Sequence, residues 1–128
     1  PDQLEAFLDE IFSALDLKIS VKTRIGLEEP EEFSRLLTLF NRFPLSELIV
    51  HPRLRKDFYK GKPDLEAFAL AVRESKNPLC YNGDLFSKEM VRQFTEQFPS
   101  VDRLMLGRGL VANPALLNEL YGEPGLSL

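Results

Sequence analysis

The chain has 128 residues, 44% of them hydrophobic and 28% charged, and a formal net charge of -4. That length accommodates one domain of ordinary globular composition, and the acidic balance excludes binding nucleic acid through bulk charge while leaving room for a local basic patch. One cysteine excludes an internal disulfide, no Cys/His cluster has metal-ligand spacing, and neither a membrane span nor a signal peptide is evident, so a cytoplasmic protein without a metal site is expected.

Leu4, Phe7, Leu8, Ile11 and Leu15 recur at helical spacing and predict a helix over residues 3–15. The next stretch, KISVKTR at 18–24, predicts a strand with Ser20, Lys22 and Arg24 on one face and Ile19, Val21 and Thr23 on the other, ended by Gly26. From Pro30, well suited to a first helical position, Phe33, Leu36, Leu37 and Phe40 mark a second helix. ELIVHPR at 47–53 reads as a short apolar strand, after which Asp64 caps a helix bearing Leu65, Phe68, Ala69 and Val72. PLCYNGD at 78–84 is a third strand, followed by Ser87 and a helix with Met90, Val91, Phe94 and Phe98. DRLMLGRG at 102–109 is the fourth, and Asn113-Pro114 opens a last helix through Leu120.

Strands alternating with helices at roughly 30-residue intervals are βαβ units joined by right-handed crossovers. The predicted class is α/β: four consecutive parallel βα units. A small open sheet and half of a (β/α)8 barrel both satisfy the pattern. Length favours the open sheet, whereas the residues at the strand ends favour the half barrel.

Each strand ends in chemically marked residues: Lys22, Arg24 and Gly26; His51 and Arg53; Asn82, Gly83 and Asp84; Gly107, Arg108 and Gly109. In parallel α/β folds ligands bind at the carboxyl ends of the strands, so these residues are expected to converge. Glycines admit close backbone approach to an anion, so GRG ahead of the Asn113-Pro114 helix reads as a phosphate cradle. Taken singly, NG is also a common turn, Lys22 and Arg24 a solvated face, and His51 a structural histidine; coincidence at four successive strand ends is what points to a site. Cys80 reads as a packed, unreactive thiol. The loop RLRKDFYKGK at 53–62 interleaves five basic residues with Phe58 and Tyr59, a pattern suited to RNA or simply to solvent.

In chain order, Val21-Lys22-Thr23-Arg24-Ile25-Gly26, His51-Pro52-Arg53, Tyr59-Lys60-Gly61, Asn82-Gly83-Asp84 and Gly107-Arg108-Gly109 make a combination that resembles the tRNA dihydrouridine synthases, FMN-dependent (β/α)8 barrel enzymes. The resemblance implies a flavoprotein that reduces uridine to dihydrouridine in tRNA, with FMN as cofactor and NADPH as reductant. It implies that Lys22 and His51 contact the flavin or its phosphate, and that Asn82, Gly83, Asp84, Gly107, Arg108 and Gly109 hold the phosphate. It assigns Arg53 first, then Arg24 and Arg55, to the RNA substrate. Pro52, Leu54 and Tyr81 depart from the family's usual residues, and the family's N-x-G-C-P loop, whose Cys is the general acid, has no counterpart here. No catalytic residue is therefore expected in this chain.

Residues 1–128 are accordingly expected to be the second half of the barrel domain, without the first half or a C-terminal helical domain. Such a piece is expected to be inactive alone and to self-associate through exposed half-barrel surface. Other readings of the same residues are another FMN or sugar-phosphate barrel enzyme, or a non-catalytic binding module.

Overall fold

The four alternating stretches form four strands, β1 (Ser20–Gly26), β2 (Glu47–Leu54), β3 (Leu79–Asn82) and β4 (Leu104–Met105), in a computed structural model that describes residues 2–122. Pro1 and residues 123–128, which take in most of the closing GEPGLSL stretch, lie outside the described residues. The helices are α1 (Asp2–Ala14), α2 (Glu32–Phe40), α3 (Leu65–Glu74), α4 (Lys88–Gln97), α5 (Arg108–Ala112) and α6 (Leu116–Leu120), with a 3-10 turn over Arg55–Asp57.

All pairings are parallel and the strand order is β1-β2-β3-β4. A doubly wound sheet reverses its order at a switch point and carries helices on both faces. Here the order never reverses and one face alone holds the helix-packed core: Leu48, Val50, Tyr81 and partly buried Val21, Leu79 and Leu104 meet Phe33, Leu37, Phe40, Phe68, Ala71, Val91 and Phe94. The fold is a singly wound α/β sheet with the arrangement of half a barrel. At the centre of its helix layer the fully buried Phe68 ring meets Tyr81 edge-on at 4.9 Å and Phe98 at 5.2 Å, while Tyr81 stacks on Phe94 at 4.1 Å. Aromatic pairs in these geometries contribute beyond their buried area.

Local signals set the helix starts. The Asp64 carboxylate accepts the Ala67 amide at 3.0 Å, and the Ser87 hydroxyl accepts the Met90 amide at 3.2 Å, both as predicted. Pro30 sits in a turn before α2, its carbonyl accepting the Phe33 amide at 3.1 Å.

Three expectations need adjusting. Helix α1 packs along Leu4, Leu8 and Phe12, with Phe12 stacked on Phe43 at 5.3 Å, so Phe7 and Leu15 are 57% and 48% exposed. The amphipathic pattern is broader than the surface this chain offers to cover it. Strand β4 has two residues, because Gly107 already caps a short helix; the last helix begins at Leu116, with the Asn113 side chain accepting the Ala115 amide at 3.2 Å. The face opposite the helices carries Lys22, Arg24, His51, Arg53 and Asn82 beside Ile49, Cys80 and Met105.

Candidate functional site

Because side chains two apart on a strand share a face, the helix-free face stacks in rows across the sheet. Lys22 pairs with Ile49 and Ile49 with Cys80; one row higher, Arg24 pairs with His51, and Asn82 with Met105. At the carboxyl ends these rows enclose a cavity of about 300 Å³ lined by Lys22, Arg24, His51, Tyr59, Asn82, Gly83, Asp84, Met105, Leu106, Gly107 and Arg108. The four marked strand ends therefore meet in one place.

The rim is a continuous ring of polar contacts. His51 and Arg53 are the buried polar or charged residues among those described, at 5% and 2% exposure. Arg53 Nη1 lies 2.9 Å from His51 Nε2, its Nη2 donates to the Asp84 carboxylate at 2.5 Å and to the Gly61 carbonyl at 2.7 Å, and its Nε donates to the Lys60 carbonyl at 3.3 Å. Asp84 also accepts from Arg108 at 2.5 Å. The Arg108 guanidinium lies over Tyr59, 4.8 Å from its centroid, and that of Arg24 is 5.4 Å from the same ring. Tyr59 closes the ring against His51, centroid to centroid 6.1 Å.

Arg24 also donates to the carbonyls of Leu54 and Phe58, at 2.9 and 2.6 Å, which pins the loop that presents Tyr59. Phe58 adopts φ 51°, a conformation costly for a bulky residue and maintained here by that anchor and the turn around it.

Electrostatics follow from this packing. Burial, then the cations Arg24, Arg53 and Lys22, push the His51 imidazole down to about 4, so it is neutral at physiological pH. Burial raises the Asp84 carboxyl, but the Arg53 and Arg108 guanidiniums outweigh it and hold the group below the ordinary carboxylate range. Burial, with Glu47 nearby, pushes the Cys80 thiol up to about 11, as expected for a packed, unreactive thiol.

The glycines divide in role. A Cβ on Gly107 would meet nothing within 4 Å, so its backbone faces open space beside the cavity. A Cβ on Gly109 would collide with the Leu85 carbonyl, and one on Gly83 with the Tyr81 hydroxyl, so both are required by packing whatever the ligand.

Most of the residues singled out in the sequence line the cavity. Gly109 is buried outside that lining, Arg53 lies in the ring beneath it, and Arg55 is exposed on the neighbouring turn. The sequence marks Tyr59 only as part of the Tyr59-Lys60-Gly61 motif; its neighbours in space are separated from it by 8, 35 and 49 positions, which local reading cannot join. Glu32 was also missed: its carboxylate accepts the amides of Leu27, Glu28 and Glu29 at 3.1, 2.8 and 2.8 Å, stabilising the loop after β1, and these bonds hold its pKa below the ordinary range. A larger cavity, about 650 Å³, shares Lys22 and Arg24 but wraps the unpaired edge of β1 against Leu4, Leu36 and Arg35.

A family model described as dihydrouridine synthase matches residues 1–124. The chain is 29% identical across its whole length to the tRNA-dihydrouridine synthase B of Shewanella oneidensis, covering 40% of that protein. It is 26% identical to the tRNA-dihydrouridine synthase B of Vibrio vulnificus, over 94% of this chain and 38% of that one. To a probable tRNA-dihydrouridine synthase of Helicobacter pylori it is 36% identical, over 74% of this chain and 29% of that one. The chain thus spans about 40% of the length of the first two of these relatives.

Proposed function

The chain belongs to the dihydrouridine synthase family, and from that premise we propose that it is the phosphate-holding half of the barrel in an FMN-dependent, cytoplasmic enzyme that reduces uridine to dihydrouridine in tRNA with NADPH as reductant. The observation that carries this reading is the meeting of Lys22, His51, Asn82, Gly107 and Arg108 in one cavity at the strand ends.

The residues present fit a flavin nucleotide. Gly107 leaves a space that a Cβ would fill, Arg108 stands beside it with its guanidinium oriented by Asp84, and Lys22 and Arg24 add positive charge to the same cavity. Arg108 and the Gly107 backbone would hold the phosphate, and His51 and Asn82 would orient polar atoms of the cofactor. Asp84, shared by two arginines, would act on the phosphate through Arg108 rather than by touching it. Lys22 contributes an exposed ammonium that would stabilise negative charge on the flavin when it is bound. When bound, FMN supplies the hydride that reduces the C5–C6 bond of the base.

At neutral pH the His51 imidazole has no imidazolium proton to give to C5, and the Cys80 thiol is buried outside the cavity lining. Arg53, first choice for the substrate, is buried with each nitrogen of its guanidinium bonded inside the protein; Arg55, exposed and without a side-chain hydrogen bond among the described residues, is the better placed cation for RNA phosphate. A base brought to this rim must leave its stack in the RNA.

The test uses the full-length protein: flavin absorbance after purification, and dihydrouridine in tRNA after incubation with NADPH. Absence of both overturns the reading. Lys22→Met should lower FMN affinity or turnover at least about tenfold while leaving stability within about 0.5 kcal/mol, since surface substitutions act weakly on folding.

A further inference from the structure

We propose that Arg53 is a positioning residue that fixes His51 as a neutral ring with its proton on Nδ1, presented to the cavity as a hydrogen-bond donor. A guanidinium has donors and no acceptor, and it stays protonated throughout the accessible pH range. With Arg53 Nη1 2.9 Å from His51 Nε2, that nitrogen must supply a lone pair. A proton on Nε2, in either the neutral or the charged ring, would set two N–H groups against each other. The neutral ring therefore carries its proton on Nδ1.

Arg53 cannot turn away to relieve the constraint. It is 2% exposed, and its Nη2 and Nε are fixed by Asp84, Gly61 and Lys60. Every deeply buried side-chain nitrogen or oxygen among the described residues has a partner. The Nδ1 position has none among the described residues, so it is reached from the cavity that His51 lines. The groups facing the imidazole are Lys22 and Arg24 from β1, Arg53 from its own strand, Asp84 after β3 and the Tyr59 ring, a set whose cations outnumber its carboxylate and oppose a charged ring.

The consequence is chemical. Opposite His51 the cavity takes an acceptor, an anionic oxygen or a carbonyl, and at neutral pH His51 cannot serve as a proton-donating imidazolium. That the acceptor is an oxygen of a flavin nucleotide rests on the function proposed above; the tautomer does not.

Histidine labelled with nitrogen-15 reads the tautomer directly. His51 is the one histidine of this chain, and in the full-length protein the His51→Gln spectrum identifies its resonances. The expected result is an unprotonated, imine-type Nε2 and a protonated Nδ1 between pH 7 and about 5. Arg53→Met should invert this to the Nε2–H form that free imidazole prefers and move the titration midpoint toward the ordinary value of about 6.5. Arg53→Lys, which keeps a cationic donor without an acceptor, should restore the wild-type tautomer at least in part. An Nε2–H or charged ring in the wild type at pH 7 overturns the proposal even if Arg53→Met does not fold, as does a folded Arg53→Met protein with an unchanged tautomer. Adding FMN should then shift the Nδ1 resonance; failure of FMN to bind would count against the proposed function and leave the tautomer standing.

Discussion

Gly107 and Gly109 flank one arginine and answer to different demands. The first borders open space and the second is pressed against the Leu85 carbonyl. Gly107→Ala should leave urea stability within about 0.5 kcal/mol while weakening FMN or phosphate binding, whereas Gly109→Ala should destabilise by about 2 kcal/mol or more, through overpacking against backbone. Stability and ligand titrations on the two variants would show whether fold and binding separate in this way. His51 sets a pH dependence of its own. Its folded pKa, about 4, lies below the ordinary 6.5, so between these values the unfolded chain binds a proton that the folded one does not. Stability should therefore fall as pH drops through that window, by about 2–3 kcal/mol in all. Asp84, held low by its arginines, loses its contribution only further down, as pH falls through its depressed value. Urea unfolding at pH 7, 5.5 and 4.5 tests this, and His51→Gln should flatten the decline.

At the level of the element, what is local in sequence is realised locally in space. Asp64 and Ser87 each supply the oxygen that their helix start lacks, and Asp64→Ala or Ser87→Ala should cost about 0.5–2 kcal/mol by chemical denaturation. Because Phe68 is fully buried among Tyr81, Phe94 and Phe98, Phe68→Ala should cost about 3–5 kcal/mol by the same measurement. Boundaries were harder to read wherever two signals overlapped. DRLMLGRG carries both a strand and a helix cap, and the cap shortened the strand to Leu104–Met105. The stretch after β1 was opaque for another reason: the Glu32 side chain returns to three amides of the preceding loop, an interaction that hydrophobic periodicity does not encode.

For the molecule as a whole, the consequential feature is a sheet covered on one face. Its helix-free face is partly charged and forms the cavity, β1 has an unpaired edge, and Phe7, Leu15 and Leu17 stand 57%, 48% and 69% exposed on α1 and the turn after it. Apolar side chains gathered in this way favour association. The 128-residue chain should therefore sediment as a dimer or larger species at tens of micromolar, and Phe7→Glu with Leu15→Lys should shift it toward monomer; a monomeric wild type by analytical ultracentrifugation would refute this.

From the sequence by itself came the alternation of elements, the caps, the chemistry of the four strand ends and their convergence, because each depends on periodicity or on the general rule that parallel strands deliver their carboxyl ends to one side. Tertiary structure alone decided between a doubly wound sheet and a barrel half, since strand order is a matter of how crossovers stack and not of any single crossover. It also decided what the charged residues do. Arg53, legible as a cation near RNA, became a buried anchor for His51 because Asp84, 31 positions away, and the carbonyls of a folded-back loop hold its Nη2 and Nε. No spacing along the chain announces such a meeting.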